Sequence, residues 1–252
     1  MFSVLIPIYN HARFLRQAIG SALRSSLASE ILLLDDGSRD GSEKIAAAMA
    51  AGHPERVRDL TPPSGGNRGA HHRLNELVGH ARNEWVAVLN SDDAFVSGRF
   101  ESLVREPAFA QSDFAFGNLL FMDQRGALIG AKRGPADTWS PFRPSLESLR
   151  LAAGNRLQEL LFEQNYLITT SNMIFRKSLH QRLGGFRDYR YVHDWDFALR
   201  ATELGRAVHI PRYLTAYRIH PGNTIQESER RSQAEANAML AQWGRALPSG
   251  PA

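Results

Sequence analysis

Two pairs of adjacent aspartates each follow a short, almost uninterrupted apolar run. Asp35-Asp36 comes after EILLL, and Asp92-Asp93 comes after WVAVL and a short Asn-Ser step. Two neighbouring carboxylates repel each other and lose hydration at the end of a buried strand, so such a pair usually holds a cation or a polar ligand. A solvated turn in which Asp92 caps the next helix fits the same residues, and both interpretations stay open at this point.

The apolar runs before these aspartates have the length and composition of strands that are buried on both faces of a parallel sheet. We predict strands over residues 2–8, 30–34 and 85–89, and a weaker one over 56–60. Pro7 is tolerated because it lies at the end of the first strand. In open α/β sheets the ligand binds outside the carboxyl ends of the strands, so Asp36 and Asp93 are expected to open onto the same edge.

Helical spacing of apolar residues predicts a first helix over 11–25 and a second one that Ser42 caps and that runs to about 51. The loop 62–69 (PPSGGNRG) precedes a further helical segment. A helix that begins after a glycine-rich loop can bind an anion, although such a loop is often only a connection. Its spacing matches neither a P-loop nor a Rossmann fingerprint.

The second half of the chain has a different pattern. We predict helices over 98–109, 148–164 and 194–204 and strands over 114–122, 169–175, 208–210 and 216–219. The irregular segment 123–144 is expected to be a hairpin or a mobile loop. We predict that this segment, the turn 221–223, or both are mobile without substrate and order over the site as lids do. The tail 227–247 is predicted to be helical and loosely packed. Because no repeat or strong linker interrupts the chain, we expect one continuous α/β domain with two functional halves.

Composition limits the classes of function. The chain of 252 residues is 43% hydrophobic and 22% charged, as in ordinary soluble globular proteins. The absence of cysteine excludes disulfides, thiolate metal sites and a cysteine nucleophile. No apolar run reaches the roughly 20 residues that span a bilayer, and Pro7 and Asn10 interrupt any secretion signal, so we expect a cytoplasmic protein. The net charge of +4 comes from scattered arginines, which gives little support to a nucleic-acid partner and fits an anionic substrate or membrane surface as well.

Six segments resemble, in the same order, the successive conserved blocks of family 2 glycosyltransferases. They are SVLIPIYNHARFLRQAIGSAL, EILLLDDGSRDGS, NRGAHHRLN, VLNSDDAF, HDWDFALR and YRIHPGNT. Each block alone is moderately specific, whereas their order and spacing together are very specific. The resemblance covers about residues 2–225.

This resemblance implies a GT-A fold, with a mostly parallel central sheet flanked by helices in a single continuous domain. It places the nucleotide-sugar-binding half at about 1–95, the acceptor-binding half at 96–225 and a helical tail at 226–252. It also implies inverting transfer of a sugar from a nucleotide diphosphate-sugar, most often a UDP-sugar, to a hydroxyl of a glycan or lipid-linked acceptor. The implied cofactor is Mn²⁺ or Mg²⁺, because a metal neutralises the departing diphosphate; oxygen ligands suit both ions and Mn²⁺ also accepts imidazole.

The metal side of the site is carried over residue by residue. The resemblance implies that Asp93 is the direct metal ligand and that Asp92 contacts ribose or metal. Asn90 stands where many members have a third acid. His220, in YRIHPGNT, matches a histidine that in many members completes the metal shell, although a lone histidine near a strand end is ordinarily structural.

On the nucleotide side, the resemblance implies a base pocket and a loop that approaches the nucleotide. Tyr9 would stack on the base and Asp36 would accept the imide N–H of uracil, which an ionised carboxylate can do. As alternatives, Tyr9 plugs the edge of the sheet and the aspartates form a turn. The residues implied to contact the nucleotide are Pro7, Tyr9, Asn10, Asp36, Asn67, Arg68, Gly69 and Asp92.

The block HDWD resembles the part of the family that holds the catalytic base. Asp194 matches that base and His193 replaces the usual glutamate. An inverting displacement needs one carboxylate opposite the leaving group and no enzyme nucleophile. The start of a helix would lower the pKa of Asp194 unless burial compensates. Asp196 is the alternative base, and helix capping is the structural explanation for either residue.

Two other classes of protein fit parts of the same pattern. A sugar-phosphate nucleotidyltransferase also places acids at a strand end over a nucleotide and metal, but it uses a triphosphate. A catalytically inactive nucleotide-sugar-binding module would keep the fold without turnover. Within the family interpretation, we expect a role in bacterial cell-surface polysaccharide or glycan synthesis, in the cytoplasm or at the inner face of the membrane. The oligomeric state stays open.

Overall fold

Nine strands of the part of the chain that the structure describes form one mixed sheet. The computed structural model describes residues 1–63, 66–132, 157–223 and 229–245. The strands are β1 (Phe2–Ile8), β2 (Ala28–Asp35), β3 (Val57–Asp59), β4 (Trp85–Val88), β5 (Ala94–Phe95), β6 (Phe114–Met122), β7 (Leu128–Lys132), β8 (Ile174–Arg176) and β9 (Ala207–Arg218). Their order across the sheet is β3-β2-β1-β4-β8-β6-β9-β5, and β7 pairs with β6 off this path.

The sheet is parallel where the apolar runs predicted it and mixed beyond. β1 lies between β2 and β4 and runs parallel to both, and β2 runs parallel to β3. β8 then pairs antiparallel with β4 and β6, whereas β9 runs parallel to β6 and antiparallel to β5. The predicted α/β fold class is therefore confirmed. Because β1, β2 and β4 point the same way, their carboxyl ends meet at one edge.

Helices cover both faces of the sheet. They are α1 (Ala12–Leu23), α2 (Ser42–Gly52), α3 (Ala70–His80), α4 (Arg99–Val104), α5 (Pro107–Ala110), α6 (Leu157–Glu163), α7 (Lys177–Leu183), α8 (His193–Leu204) and α9 (Glu229–Ala241), with a 3-10 helix at Thr170–Asn172. Apolar residues of α1, α2, α4 and α5 pack in one core cluster, and those of α3, α6, α7, α8 and α9 pack in another. None of the helices in the described residues is long and apolar enough to cross a membrane.

Several predicted elements differ from the structure for local reasons. The predicted helix 98–109 is two helices, because Pro107 begins α5 and the preceding Glu106 is extended. The predicted strands 208–210 and 216–219 are one strand, since a register shift after Ile210 accommodates Pro211. The strand predicted over 169–175 is the 3-10 helix followed by β8.

Helix α2 does not use Ser42 as its cap. Gly41 occupies the N-cap position with a φ of 90°, and Ser42 is the first helical residue. The Asp40 carboxylate accepts hydrogen bonds from the backbone N–H of Ser42 at 3.0 Å and from its hydroxyl at 2.6 Å. The same carboxylate accepts from the backbone N–H of Ala12 at 2.8 Å. Asp40 therefore holds the first turns of both α1 and α2.

The prediction of a loosely packed tail is wrong for α9. Met239 and Leu240 are fully buried in the core. The Glu235 carboxylate accepts three backbone N–H groups just before α8, from Arg190 at 2.8 Å, Tyr191 at 2.6 Å and Val192 at 3.1 Å. Helix α9 packs firmly with few large apolar residues, because Met239 and Leu240 both face the core.

The hairpin expected in the segment 123–144 is present in its first part. β6 and β7 pair antiparallel across the turn at 123–127. Residues 133–144, and residues 148–156 of the predicted helix 148–164, lie outside the described part of the chain.

Candidate active site

A cleft of about 720 Å³ opens at the carboxyl edge of β1, β2 and β4. Its size is within the roughly 300–1,000 Å³ of small-ligand sites, and its position is where open α/β sheets bind ligands. Every predicted site residue except Asp93 lines it: Pro7, Tyr9, Asn10, Asp36, Asn67, Arg68, Gly69, Asp92, Asp194 and His220. The topology thus brings together residues that are more than 200 positions apart in the chain.

The end of β1 forms one wall of the cleft. Tyr9 is 45% exposed, so its ring is available to a ligand. Asn10 has a φ of 54°, which is uncommon for a residue other than glycine. Its side-chain oxygen accepts from the backbone N–H of Arg39 at 2.8 Å, and its own N–H donates to the Ser38 hydroxyl at 2.8 Å. Asn10 therefore ties the end of β1 to the loop after β2.

Asp36 anchors the loop that precedes α3. Its carboxylate accepts from the backbone N–H groups of Arg68 and Gly69, both at 2.8 Å, and from the Arg73 side chain at 2.6 Å. Arg73 is buried and also donates to Glu76 at 3.0 Å. Gly69 has a φ of 94°, and a Cβ there would lie 3.0 Å from the His71 ring. Asp36 therefore uses three hydrogen bonds to hold this loop and the first turns of α3.

Asp92 turns its carboxylate into the cleft, where two histidines face it. His220 Nε2 lies 3.0 Å from one carboxylate oxygen, and His11 Nδ1 lies 3.8 Å from the other. His11 Nδ1 is also 2.8 Å from the Ser91 hydroxyl. Burial acts to raise the pKa of Asp92, but the hydrogen bond from His220 and the charge of His11 outweigh it and the pKa is lowered. Ligand atoms of these three residues all lie within 4.8 Å of one another, close enough to share one metal ion.

Asp93 turns the opposite way, into the sheet. It is 0% exposed, and its carboxylate accepts from Thr169 Oγ1 at 2.8 Å, Ser171 Oγ at 2.5 Å and the backbone N–H of Arg218 at 2.8 Å. Burial, reinforced by the charge of Asp92, raises its pKa to about 8. Asp93 does not line the cleft in this arrangement, so the geometry gives no support to the prediction that it is the direct metal ligand. Asp93 instead joins β4, the 3-10 helix and β9.

Asp194 lies in the first turn of α8, 5% exposed at the wall of the cleft. Val192 is the N-cap residue, so the alternative explanation, in which Asp194 caps the helix, does not hold. Asp194 Oδ1 accepts from the backbone N–H of Trp195 at 2.7 Å and from the Asn165 amide at 3.2 Å. Within the described residues Oδ2 accepts no hydrogen bond. Burial raises the pKa of Asp194 although the charge of His193 acts to lower it, so the carboxylate is a stronger base than the helix start alone would allow.

Asp196, the alternative base, is held in a structural ion pair. It is 0% exposed and accepts from Arg200 at 2.6 and 2.9 Å and from Arg187 at 3.1 Å. It does not line the cleft. With both oxygens paired to guanidinium groups, Asp196 is a poor proton acceptor.

Sequence reasoning missed three side chains that line the cleft: His11, Arg73 and Asn165. His11 follows the Tyr9-Asn10 step, so its place just beyond β1 was a usable signal. Arg73 lies within the NRGAHHRLN block and could have been paired with Asp36. Asn165 gave no signal, because its contact with Asp194 joins positions on different elements.

The chain matches the sequence model of the family described as Glycosyl transferase family 2 over residues 3–184. It is 27% identical over 234 residues to the uncharacterized glycosyltransferase EpsJ of Bacillus subtilis, covering 90% of this chain and 63% of that protein. It is 33% identical over 107 residues to the minor teichoic acid biosynthesis protein GgaA of the same organism, covering 41% of this chain and 24% of that one. The chain thus spans less than two thirds of the length of these relatives.

Solved structures show the same fold at low sequence identity. TarS of S. aureus (residues 1–349, in complex with UDP-GlcNAc) has a TM-score of 0.69 and 15% identity, covering 98% of this chain and 68% of that one. The mannosyltransferase PcManGT of Pyrobaculum calidifontis, in complex with GDP-Man and Mn²⁺, has a TM-score of 0.66 and 20% identity, covering 98% and 66%. The curled mixed sheet with helices on both faces is the GT-A fold.

Proposed function

The chain belongs to glycosyl transferase family 2, and from this premise we propose that it transfers a sugar, with inversion, from a nucleotide diphosphate-sugar to an acceptor hydroxyl. One observation carries the proposal: the acid–histidine group around Asp92 and the buried carboxylate of Asp194 face the same cleft. A leaving diphosphate needs a cation, an attacking hydroxyl needs a base, and the two must lie on one substrate.

The nucleotide would lie along the edge of β1 and β2. Tyr9 offers an exposed ring for stacking on the base, and Pro7 lines the same cleft. Asp36 retains lone pairs beyond its three donors, so it can also accept the imide N–H of uracil. We propose a UDP-sugar on this basis. The complexes of TarS with UDP-GlcNAc and of PcManGT with GDP-Man make UDP and GDP the two nucleotides to compare first.

The donor atoms at Asp92 fit a divalent metal. One carboxylate and the facing imidazole of His220 provide oxygen and nitrogen, a set that suits Mn²⁺ better than Mg²⁺. We assign the direct ligand role to Asp92 in place of Asp93, and the position of Asp92, which lines the cleft as Asp93 does not, supports this assignment. When bound, the metal would neutralise the charge that develops on the departing diphosphate. The complex of PcManGT with Mn²⁺ supports this choice of ion.

Asp194 would take the proton of the acceptor hydroxyl through Oδ2. Trp195 and Asn165 hold Oδ1 and so restrict the orientation of the carboxylate, and Asp194 lines the cleft. Burial keeps its pKa above the ordinary value, which increases its basicity. Asp196 is excluded from this role by its two arginine partners.

The acceptor would be a glycan or a lipid-linked glycan in bacterial cell-surface polysaccharide synthesis. Similarity to a minor teichoic acid biosynthesis protein supports this class. With such an acceptor, the site would work in the cytoplasm or at the inner face of the membrane, with peripheral association as the means of reaching a lipid-linked substrate.

Calorimetric titration of UDP, GDP and UTP, each with and without Mn²⁺, tests the donor side of the proposal. We expect Mn²⁺-dependent binding of UDP in the wild type and its loss in Asp92→Asn, with the exposed His80→Gln as a matched control. Tight binding of UTP with turnover of a sugar phosphate would point to a nucleotidyltransferase instead. Metal-independent binding of UDP, unchanged in Asp92→Asn, would contradict the assignment of Asp92.

A further inference from the structure

His11 lies just before the first residue of α1, beside Asp92 and His220. Its Nδ1 is 3.8 Å from one oxygen of Asp92, while His220 Nε2 is 3.0 Å from the other. The two imidazole rings pack edge to face with their centroids 5.6 Å apart. His11 and His220 therefore face the two different oxygens of the same carboxylate.

The backbone around His11 is held firmly, so the position of the ring does not depend on a loose loop. Its own N–H donates to the Ser42 hydroxyl at 3.1 Å. Its carbonyl accepts from the N–H groups of Phe14 and Leu15, at 2.9 and 3.0 Å, which close the first turn of α1. The Phe14 ring lies 4.9 Å from the ring of His220 and 6.2 Å from that of His11, so one aromatic side chain supports both histidines.

We propose that His11 is a third protein ligand of the same divalent ion as Asp92 and His220, and that the two imidazoles make the site select Mn²⁺ over Mg²⁺. This inference rests on the proposed metal-dependent function and deepens it. In octahedral geometry, ligand atoms at bonds of about 2.0–2.2 Å lie roughly 3 Å apart when they are adjacent. If both oxygens of Asp92 bind the ion, the 3.0 Å separation of Oδ2 from His220 Nε2 already has this value, and the 3.8 Å separation of Oδ1 from His11 Nδ1 must shorten.

The Ser91 hydroxyl fits this role as the group that His11 exchanges for the ion. It lies 2.8 Å from the same Nδ1 atom. When Nδ1 binds a metal, the hydroxyl can rotate and remain in the outer shell, where such groups orient the ligands. Mg²⁺ prefers oxygen ligands and parts reluctantly with its water, so a second imidazole favours Mn²⁺.

Pulsed EPR of Mn²⁺ with UDP, on protein labelled with ¹⁵N-histidine, counts the coordinated imidazoles in the wild type directly. We expect two histidine nitrogens in the wild type and in the exposed control His80→Gln, and one in His11→Gln. Calorimetry should show Mn²⁺ affinity in His11→Gln reduced by at least the roughly 10–100-fold that loss of an outer-shell partner costs, with Mg²⁺ affinity little changed. His11→Asp, which supplies an oxygen ligand, should bind both ions and lose the preference for Mn²⁺.

One nitrogen in the wild type, with Mn²⁺ and UDP affinity unchanged in His11→Gln, would overturn the role of His11 and leave the proposed function standing. Absence of Mn²⁺ binding in the wild type, alone or with UDP or GDP, would overturn both. Because the nitrogen count is made on the wild type, the inference stays testable even if a His11 variant unfolds.

Discussion

Glu235 of α9 should stabilise the start of α8, although the two helices are separate elements of the chain. Its carboxylate accepts the backbone N–H groups of Arg190, Tyr191 and Val192. These donors precede the helix that carries Asp194, and a negative charge at a helix start is favourable. Glu235→Ala removes the acceptor for all three donors at once.

The magnitude follows from the exposure of each donor. Val192 is 5% exposed, so its N–H loses its partner in a buried place, which costs about 1–3 kcal/mol. Arg190 is exposed, and Tyr191 is partly exposed, so water replaces much of their hydrogen bonding. Together with the lost charge at the helix start, we expect a loss of about 2–4 kcal/mol in the free energy of unfolding. At about 2–4 °C per kcal/mol, Tm should fall by about 5–15 °C.

Urea and thermal unfolding of Glu235→Ala, Glu235→Gln and Glu203→Ala measure this effect. Glu203 is exposed on α8 and serves as the matched control with an expected change of less than about 0.5 kcal/mol. Glu235→Gln keeps one acceptor oxygen but loses the charge, so its loss should be intermediate. If Glu235→Ala unfolds like Glu203→Ala, the docking of α9 does not hold α8 and the reasoning is refuted.

Two further variants test the surroundings of the base. Asn165→Ala removes a hydrogen bond that lowers the pKa of Asp194, so the pKa, which burial already raises, should rise further. Since the ionised form of Asp194 is the active one, the acidic limb of the kcat–pH profile should move to higher pH. An unmoved limb would contradict the contact between Asn165 and Asp194. Asp196→Asn leaves the buried Arg200 without its charged partner, so the free energy of unfolding in urea should fall by about 3–5 kcal/mol while UDP binding with Mn²⁺ persists. A variant that loses turnover but keeps its stability would instead indicate that Asp196 is the base.

The nucleotide-side framework could be predicted from the sequence because its strands are buried on both faces. EILLL and WVAVL have the composition of such strands, and parallel pairing through β1 brings Asp36 and Asp92 to one edge. The same logic could not say which of Asp92 and Asp93 faces the cleft. Both residues lie in or beside a turn in which the Asp93 N–H donates to the Asn90 carbonyl at 3.1 Å, and the residue types alone do not specify the dihedral angles of such a turn.

Contacts between segments that are distant in the sequence were the second feature that could not be predicted. His11 and His220 meet because α1 begins beside the end of β9, and neither residue has a local pattern that points to the other. The bulge at Pro211 likewise depends on pairing with β6, so a continuous strand looked like two short ones. Burial of Asp194 is also tertiary, and it reverses the direction that the helix start alone would give to its pKa.

The measurement that tests the central claim most directly is the single-turnover rate of sugar transfer by Asp194→Asn. A panel of UDP-sugars and GDP-sugars with cell-surface glycan acceptors first identifies the substrates, and the variant is then compared with the wild type. Asn keeps the shape of the side chain and one oxygen but cannot accept the proton, so the rate should fall by about 10²–10⁴-fold while calorimetry shows unchanged nucleotide binding. A variant that transfers sugar at the wild-type rate would contradict the assignment of Asp194 as the base.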